Sequence, residues 1–190
     1  MKKFRIYLNA PITLMFVIMC LMTIVLDNLT NGASTQYVFS TYGSSWLDPL
    51  TYVRLICHVF GHNSISHLIS NSLYILLLGP ILEEKYGSKI ITVIITTAII
   101  TGLCHNIIEP NTILLGSSGV VFAFILLASI TGEKNGIPIT LIFVSVLWLG
   151  QEIYSGIINS DNISQITHII GGLSGAILGL TFKNKNTKSN

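Results

Sequence analysis

Charge is what this chain has least of. Only 9% of its 190 residues are Asp, Glu, Lys or Arg, against roughly 25% in an ordinary soluble domain. With 51% hydrophobic residues and a mean hydropathy of +0.70, a water-covered globule is excluded and a multi-pass membrane protein is left. Cysteine is scarce too. Cys20, Cys57 and Cys104 are odd in number and sit in apolar stretches or at their ends, so they read as free packing residues rather than a disulfide framework.

Other absences narrow the chemistry. There are no internal repeats, no low-complexity linker and no glycine-rich phosphate loop after a strand, so neither a nucleotide enzyme nor a nucleic-acid partner has support. His58 and His62 share the i, i+4 spacing of metal sites, and His67 would complete a zinc cluster. No Glu follows His58, however, as the His-Glu-x-x-His signature requires. Their expected role is to hydrogen-bond the first loop into the membrane surface, with no metal or cofactor. The soluble-hydrolase elbow Gly-x-Ser-x-Gly is missing as well, because Gly116 and Ser118 call for a glycine where the chain has Val120.

Apolar runs long enough to cross about 30 Å of hydrocarbon predict six transmembrane helices, at Ala10–Leu26, Ser66–Leu82, Ser88–Ile107, Leu114–Thr131, Ile137–Ile153 and Ile163–Phe182. The first follows Lys2, Lys3 and Arg5 like a signal peptide, but it lacks a small-residue cleavage site. The expectation is thus an all-α bundle forming a single domain over 1–190. Residues 1–9 and a short basic tail, 183–190, lie on the cytoplasmic side, the tail near anionic lipid. On that arrangement Lys2, Lys3, Arg5, Lys85, Lys89, Lys134, Lys183, Lys185 and Lys188 are inside and Arg54 alone is outside. The asymmetry matches the positive-inside rule.

Orientation decides where the polar residues meet. The fourth and sixth spans both run inward, and Ser118 and His168 each fall four or five residues into their span, roughly 6–8 Å deep by helical rise. The second span also starts outside, with His67 and Asn71 on one face. A serine is a weak nucleophile unless a neighbouring base takes its proton, so Ser118 with His168 reads as a nucleophile and base. Each signal also has a plainer reading. Gly116-Ser117-Ser118-Gly119 is a common small-residue packing motif, His168 alone suits a hydrogen-bonded interior or a proton relay, and His67 with Asn71 suits a structural interhelical bond. Gly171, Gly175 and Gly179 leave a helix face without side chains, which lets a neighbour approach closely.

Three motifs stand in order: His67-Leu68-Ile69-Ser70-Asn71, Gly116-Ser117-Ser118-Gly119, and His168-Ile169-Ile170-Gly171 followed by Gly175. This pattern resembles the rhomboid intramembrane serine proteases over nearly the whole chain, in a minimal six-helix form of bacterial type. The resemblance extends to Gly79, Glu83 and Gly87. It implies Ser118 as nucleophile, His168 as general base and then acid, and His67, Asn71 and the Ser118 backbone N–H as donors to the oxyanion. It also implies Phe122 as the ring packed on His168, with Gly116, Ser117, Gly119, Gly171 and Gly175 in support. The family's Trp-Arg pair is here Val53-Arg54, which leaves the loop's aromatic anchor unassigned.

No carboxylate among Glu109, Glu152 and Asp161 occupies a position that the resemblance marks as catalytic, so a Ser-His dyad is expected. Substrates would be transmembrane proteins, cut in or near their spans in the cell (plasma or inner) membrane, at a site opening to the extracytoplasmic side. Gln151 and Glu152 are candidates for gating that access. Glu83, Glu84 and Lys85 read as a solvated inner loop, with Glu83 a candidate helix cap, and His105 and Asn106 as caps for the terminal carbonyls of the third span. Two rival readings stay open: a rhomboid-like protein that binds membrane clients without cutting them, and a small transporter or proton channel. The latter would commonly show inverted repeats.

Overall fold

In the computed structural model the described residues are 7–130, 139–140, 142–143, 146–147, 150 and 162–187, of which 162–166 and 183–187 are described by backbone alone. Seven α-helices occur among them: α1 (Pro11–Leu29), α2 (Ala33–Tyr37), α3 (Pro49–Cys57), α4 (Ile65–Tyr86), α5 (Lys89–Ile108), α6 (Ser118–Ile130) and α7 (Asn162–Thr187). A 3₁₀ turn, His58–Phe60, joins α3 to the chain leading into α4. No regular strand occurs among the described residues; the fold is an all-helical membrane bundle.

Three helices, α1, α4 and α5, are long and apolar enough to cross a membrane. Their outward faces carry large apolar side chains, including Met15, Ile18, Met22, Leu73 and Leu77, as suits a helix whose solvent is lipid. Residues 49–60, 118–130 and 167–182 form shorter apolar helices. The first of these lies in the segment expected to be the long first loop, and at 12 residues it is below the roughly 17 needed for a span.

The fourth expected span begins later than predicted, and the reason is visible in the backbone. Thr41 and Leu114 form an isolated antiparallel bridge, with N–H···O distances of 2.8 and 2.9 Å, so Leu114 is committed to extended geometry. Gly116 then adopts φ +122, which no helix contains. Helix α6 therefore starts at Ser118. The expectation that Ser118 sits four or five residues inside the helix is corrected: it is the first helical residue.

At the far end of α4 the expected loop is helix, whereas the expectation of Glu83 as a cap for a neighbouring helix holds. Glu83 and its neighbours belong to α4, which runs on to Tyr86 and ends at Gly87, φ +56. Glu83 is buried and reaches α1: its carboxyl oxygens accept the amides of Ile12 at 3.0 Å and Thr13 at 2.9 Å, and the Thr13 hydroxyl at 2.8 Å. The first amides of any helix have no intrahelical acceptor, and here a side chain 70 positions away supplies it. Gly79 makes the approach possible, since a Cβ there would collide with the Thr13 side chain.

Helices α6 and α7 make the closest pair. A side chain at Gly171 would strike the backbone of Gly119, and one at Gly175 the backbone of Ala123, so the two helices touch main chain to main chain. Such small-residue seams are how helices associate where burial from lipid gives no hydrophobic gain. A hydrogen bond of 2.8 Å between the Thr97 and Ser174 hydroxyls ties α5 to α7. Around this seam lie Ile75, Leu82, Ile90, Val93, Val120, Phe124 and Leu127, all fully buried.

The segment between α2 and α4 is pinned by Arg54, only 3% exposed. Its guanidinium meets Asp48 and Ser44 at 3.0 Å and Thr51 at 3.2 Å, and it stands 4.8 Å over the Tyr42 ring. Tyr42 is thus the aromatic group under Arg54 that the dipeptide Val53-Arg54 left unassigned. Asp48 lies below the usual carboxylate range, first because it accepts the Leu50 amide as helix cap and then because of Arg54. His105 and Asn106 differ from expectation: they bond loop groups, the Thr112 carbonyl at 3.2 Å and the Thr41 hydroxyl at 2.9 Å, rather than the end of their own helix. The three cysteines are free thiols.

Candidate active site

The site is assembled from the first residues of α6, the first turns of α4 and α7, and the turn that precedes α4. Gly116 leads into it. Its N–H donates to the His58 carbonyl at 2.9 Å, its φ lies where side chains are rarely found, and a Cβ would fall 2.8 Å from Cε1 of His67. Glycine is required on both counts. Ser117 follows as the cap of α6: its carbonyl takes the Val121 amide at 2.9 Å. Because Val121 makes the first i→i−4 bond, the amides of Ser118, Gly119 and Val120 have no intrahelical acceptor.

Ser118, half-buried, faces His168 across the α6–α7 seam, with Oγ 2.9 Å from Nε2. The hydroxyl donates to the imidazole lone pair when the ring is neutral. Phe122, one turn below Ser118, packs its ring 4.6 Å from the His168 ring at 44°. The two residues are 50 positions apart in the chain. They meet because Gly119 and Gly171, one and three residues further along, let the backbones touch.

On the facing side stand two residues of α4. Ser64 caps that helix by accepting the His67 amide at 3.1 Å, which fixes His67 in the first turn with its ring against Gly116. His67 Nδ1 lies 3.0 Å from Asn63 Oδ1. Asn71, one turn on and buried, has Nδ2 3.3 Å from Nε2 of His62.

His62, expected only to bond the first loop into the membrane surface, is part of the site. Its Nδ1 donates to the Phe60 carbonyl at 3.1 Å, two residues back in the same turn. Its other nitrogen, however, points into the site, 3.2 Å from Ser117 Oγ and beside Asn71, and its ring meets that of His67 edge-on at 5.0 Å. Burial pushes its pKa down to about 4, opposed by the Phe60 carbonyl and slightly aided by His67. No spacing rule links positions 62, 71 and 117, so only the fold could reveal this. His58 goes a different way: its Nε2 is 3.5 Å from the Thr101 hydroxyl, and burial lowers its pKa to about 3. Gln151, Glu152 and Asp161 lie outside the described residues.

A hydroxyl, an imidazole, helix-terminal amides and a carboxamide converge at the ends of facing apolar helices, which defines a helical membrane protein with a serine-histidine pair. Residues 49–185 match the family model described as Rhomboid domain, and the chain belongs to that family. Among curated proteins it is similar to Rhomboid protease GlpG of Yersinia pestis (strain Pestoides F), 29% identical over 177 residues, covering 90% of this chain and 60% of the relative. The protein of the same name from Yersinia pseudotuberculosis serotype I (strain IP32953) is 30% identical over the same coverage. That from Serratia proteamaculans (strain 568) is 26% identical over 178 residues, covering 88% of this chain and 61% of the relative. The chain thus spans about 60% of the length of these relatives.

Proposed function

We propose that this chain is an intramembrane serine endopeptidase that hydrolyses peptide bonds in or near transmembrane segments. The observation that carries the reading is the 2.9 Å approach of Ser118 Oγ to His168 Nε2. In the first step Oγ attacks the scissile carbonyl as its proton passes to Nε2, and the imidazolium then protonates the departing amine. Water, deprotonated by the same nitrogen, cleaves the acyl-enzyme. Phe122 and the glycine seam hold the imidazole in place in this dyad.

Negative charge on the carbonyl oxygen needs donors fixed in advance. The Ser118 amide qualifies, as a helix-terminal N–H aimed outward from the positive end of α6. His67 and Asn71 are assigned beside it. With Asn63 Oδ1 facing its Nδ1, a neutral His67 keeps its proton there; donation from Nε2 follows when the exposed Asn63 carboxamide turns over and offers its NH₂. Gly116, Ser117 and Gly119 shape this end of α6, and Gly171 and Gly175 bring α7 to it.

The excess of Lys and Arg on predicted inner segments supports cytoplasmic termini and a site opening to the extracytoplasmic side of the cell membrane. A helical substrate hides its carbonyls in hydrogen bonds, so the preferred clients are spans that unwind readily near that surface.

The test is cleavage of a single-span substrate by purified protein in liposomes, alongside fluorophosphonate labelling. Wild type should cleave and label, and Ser118→Ala should do neither. His168→Ala should lose cleavage by at least about a thousandfold. Wild type that neither labels nor cleaves any of a panel of spans would leave a client-binding protein as the better description.

A further inference from the structure

We infer that His62 is a positioning residue, which fixes the Asn71 carboxamide with its NH₂ turned to the reacting carbonyl and holds the Ser117 hydroxyl beside the nucleophile. The inference rests on the proteolytic reading of Ser118 and His168.

A backbone carbonyl only accepts, so the 3.1 Å contact between His62 Nδ1 and Phe60 O places the ring proton on Nδ1. Nε2 then carries a lone pair, and whatever faces it must donate. Ser117 Oγ at 3.2 Å and Asn71 Nδ2 at 3.3 Å share that lone pair as a three-centre bond. A carboxamide turned the other way would set its oxygen against the nitrogen lone pair, a repulsive contact inside a buried site. The side chain of Asn71 is therefore locked with nitrogen inward. One of its two N–H groups is spent on His62, and the other stays available to an oxyanion.

The lock has no slack. His62 is 4% exposed and Asn71 7%, so water does not readily replace either partner. Because the imidazole stays neutral down to about pH 4, the lone pair persists through the working range of a serine-histidine pair. Freed from His62, the carboxamide of Asn71 would sample both orientations and present oxygen, which repels an oxyanion, part of the time.

Three measurements test this together. First, His62→Ala should lower kcat about tenfold or more with KM little changed, since orientation of an oxyanion donor matters only in the transition state. His62→Gln, whose side-chain oxygen can accept from Asn71, should recover part of the loss. Second, the double variant with Asn71→Ala should be no slower than Asn71→Ala alone; multiplicative losses would overturn the inference. Third, ¹⁵N NMR of histidine-labelled protein in micelles should show His62 protonated at Nδ1 and bare at Nε2. A proton on Nε2 overturns the lock even in an enzyme that cleaves, and this readout does not depend on activity. Absence of both cleavage and labelling in the wild type would remove the parent reading, and this inference with it. Thermal unfolding of each variant identifies any loss that comes from misfolding: a kcat loss that tracks unfolding and is not rescued by His62→Gln counts against positioning.

Discussion

Gly116 carries two constraints at one position, a φ of +122 and the His67 ring lying where a side chain would go. Gly116→Ala should cost about 1–3 kcal/mol in stability and displace His67 as well. Unfolding in detergent and cleavage rate should fall together. His62 gives a prediction in pH. Its folded pKa of about 4 lies below the ordinary 6.5, so the unfolded chain takes up a proton first. Its contribution is fully present above about pH 6.5 and is lost as the pH falls toward 4. Unfolding midpoints measured from pH 8 to pH 4 should decline across that window, and His62→Gln should lessen the decline without removing it, because His58, lowered to about 3 by burial, loses its contribution over the same range. At this scale the sequence was informative about chemistry and silent about partners. Ser118 and His168 could be paired because three motifs stand in order along the chain, each of them alone suiting plain helix packing, and Phe122 came from the family resemblance rather than from spacing. The second nitrogen of His62 was not legible, since its contacts with Ser117 and Asn71 are made across three segments that the loop before α4 folds together.

Among the elements, α4 and α5 lie where apolar runs place them, because a long uncharged stretch has no alternative in lipid. The start of α6 did not, since hydropathy does not register that Leu114 bonds to Thr41 or that Gly116 turns the wrong way for a helix. Helix α3 escaped for a similar reason: at 9 residues it is too short for a span and reads as part of a loop, though Pro49 and the Asp48 cap mark its start. The join between α1 and α4 offers the sharpest test at this scale. Glu83→Gln keeps the shape but can offer an acceptor to only one direction of the Ile12–Thr13 cluster, and its NH₂ then faces a buried donor. The expected cost is about 1–3 kcal/mol, read as a lower unfolding temperature, with cleavage by the surviving folded fraction little altered.

For the molecule as a whole, the orientation proposed from charge is open to direct measurement. In sealed vesicles of known polarity, a cysteine introduced at Asn63 in a background of Cys20→Ala, Cys57→Ala and Cys104→Ala should react with an impermeant maleimide from the extracytoplasmic side. One introduced at Ser189 should react from the cytoplasmic side. The reverse pattern would place the site at the other face and sink the proposed access route. Asn63 is exposed and adjoins the site, which makes it a fair reporter of where clients would approach.

The carboxyl group of Glu83 has a further consequence, in time rather than in space. A ribosome makes α1 first, and the acceptor for its leading amides lies 71 positions beyond Ile12. At roughly 5–20 residues per second that is a wait of about 4–14 s. During it α1 sits in the membrane with its leading end unfinished. The arrival of the far end of α4 closes the first hairpin, so a chain stalled or truncated before residue 83 would present an incomplete helix end to the cell's quality-control machinery.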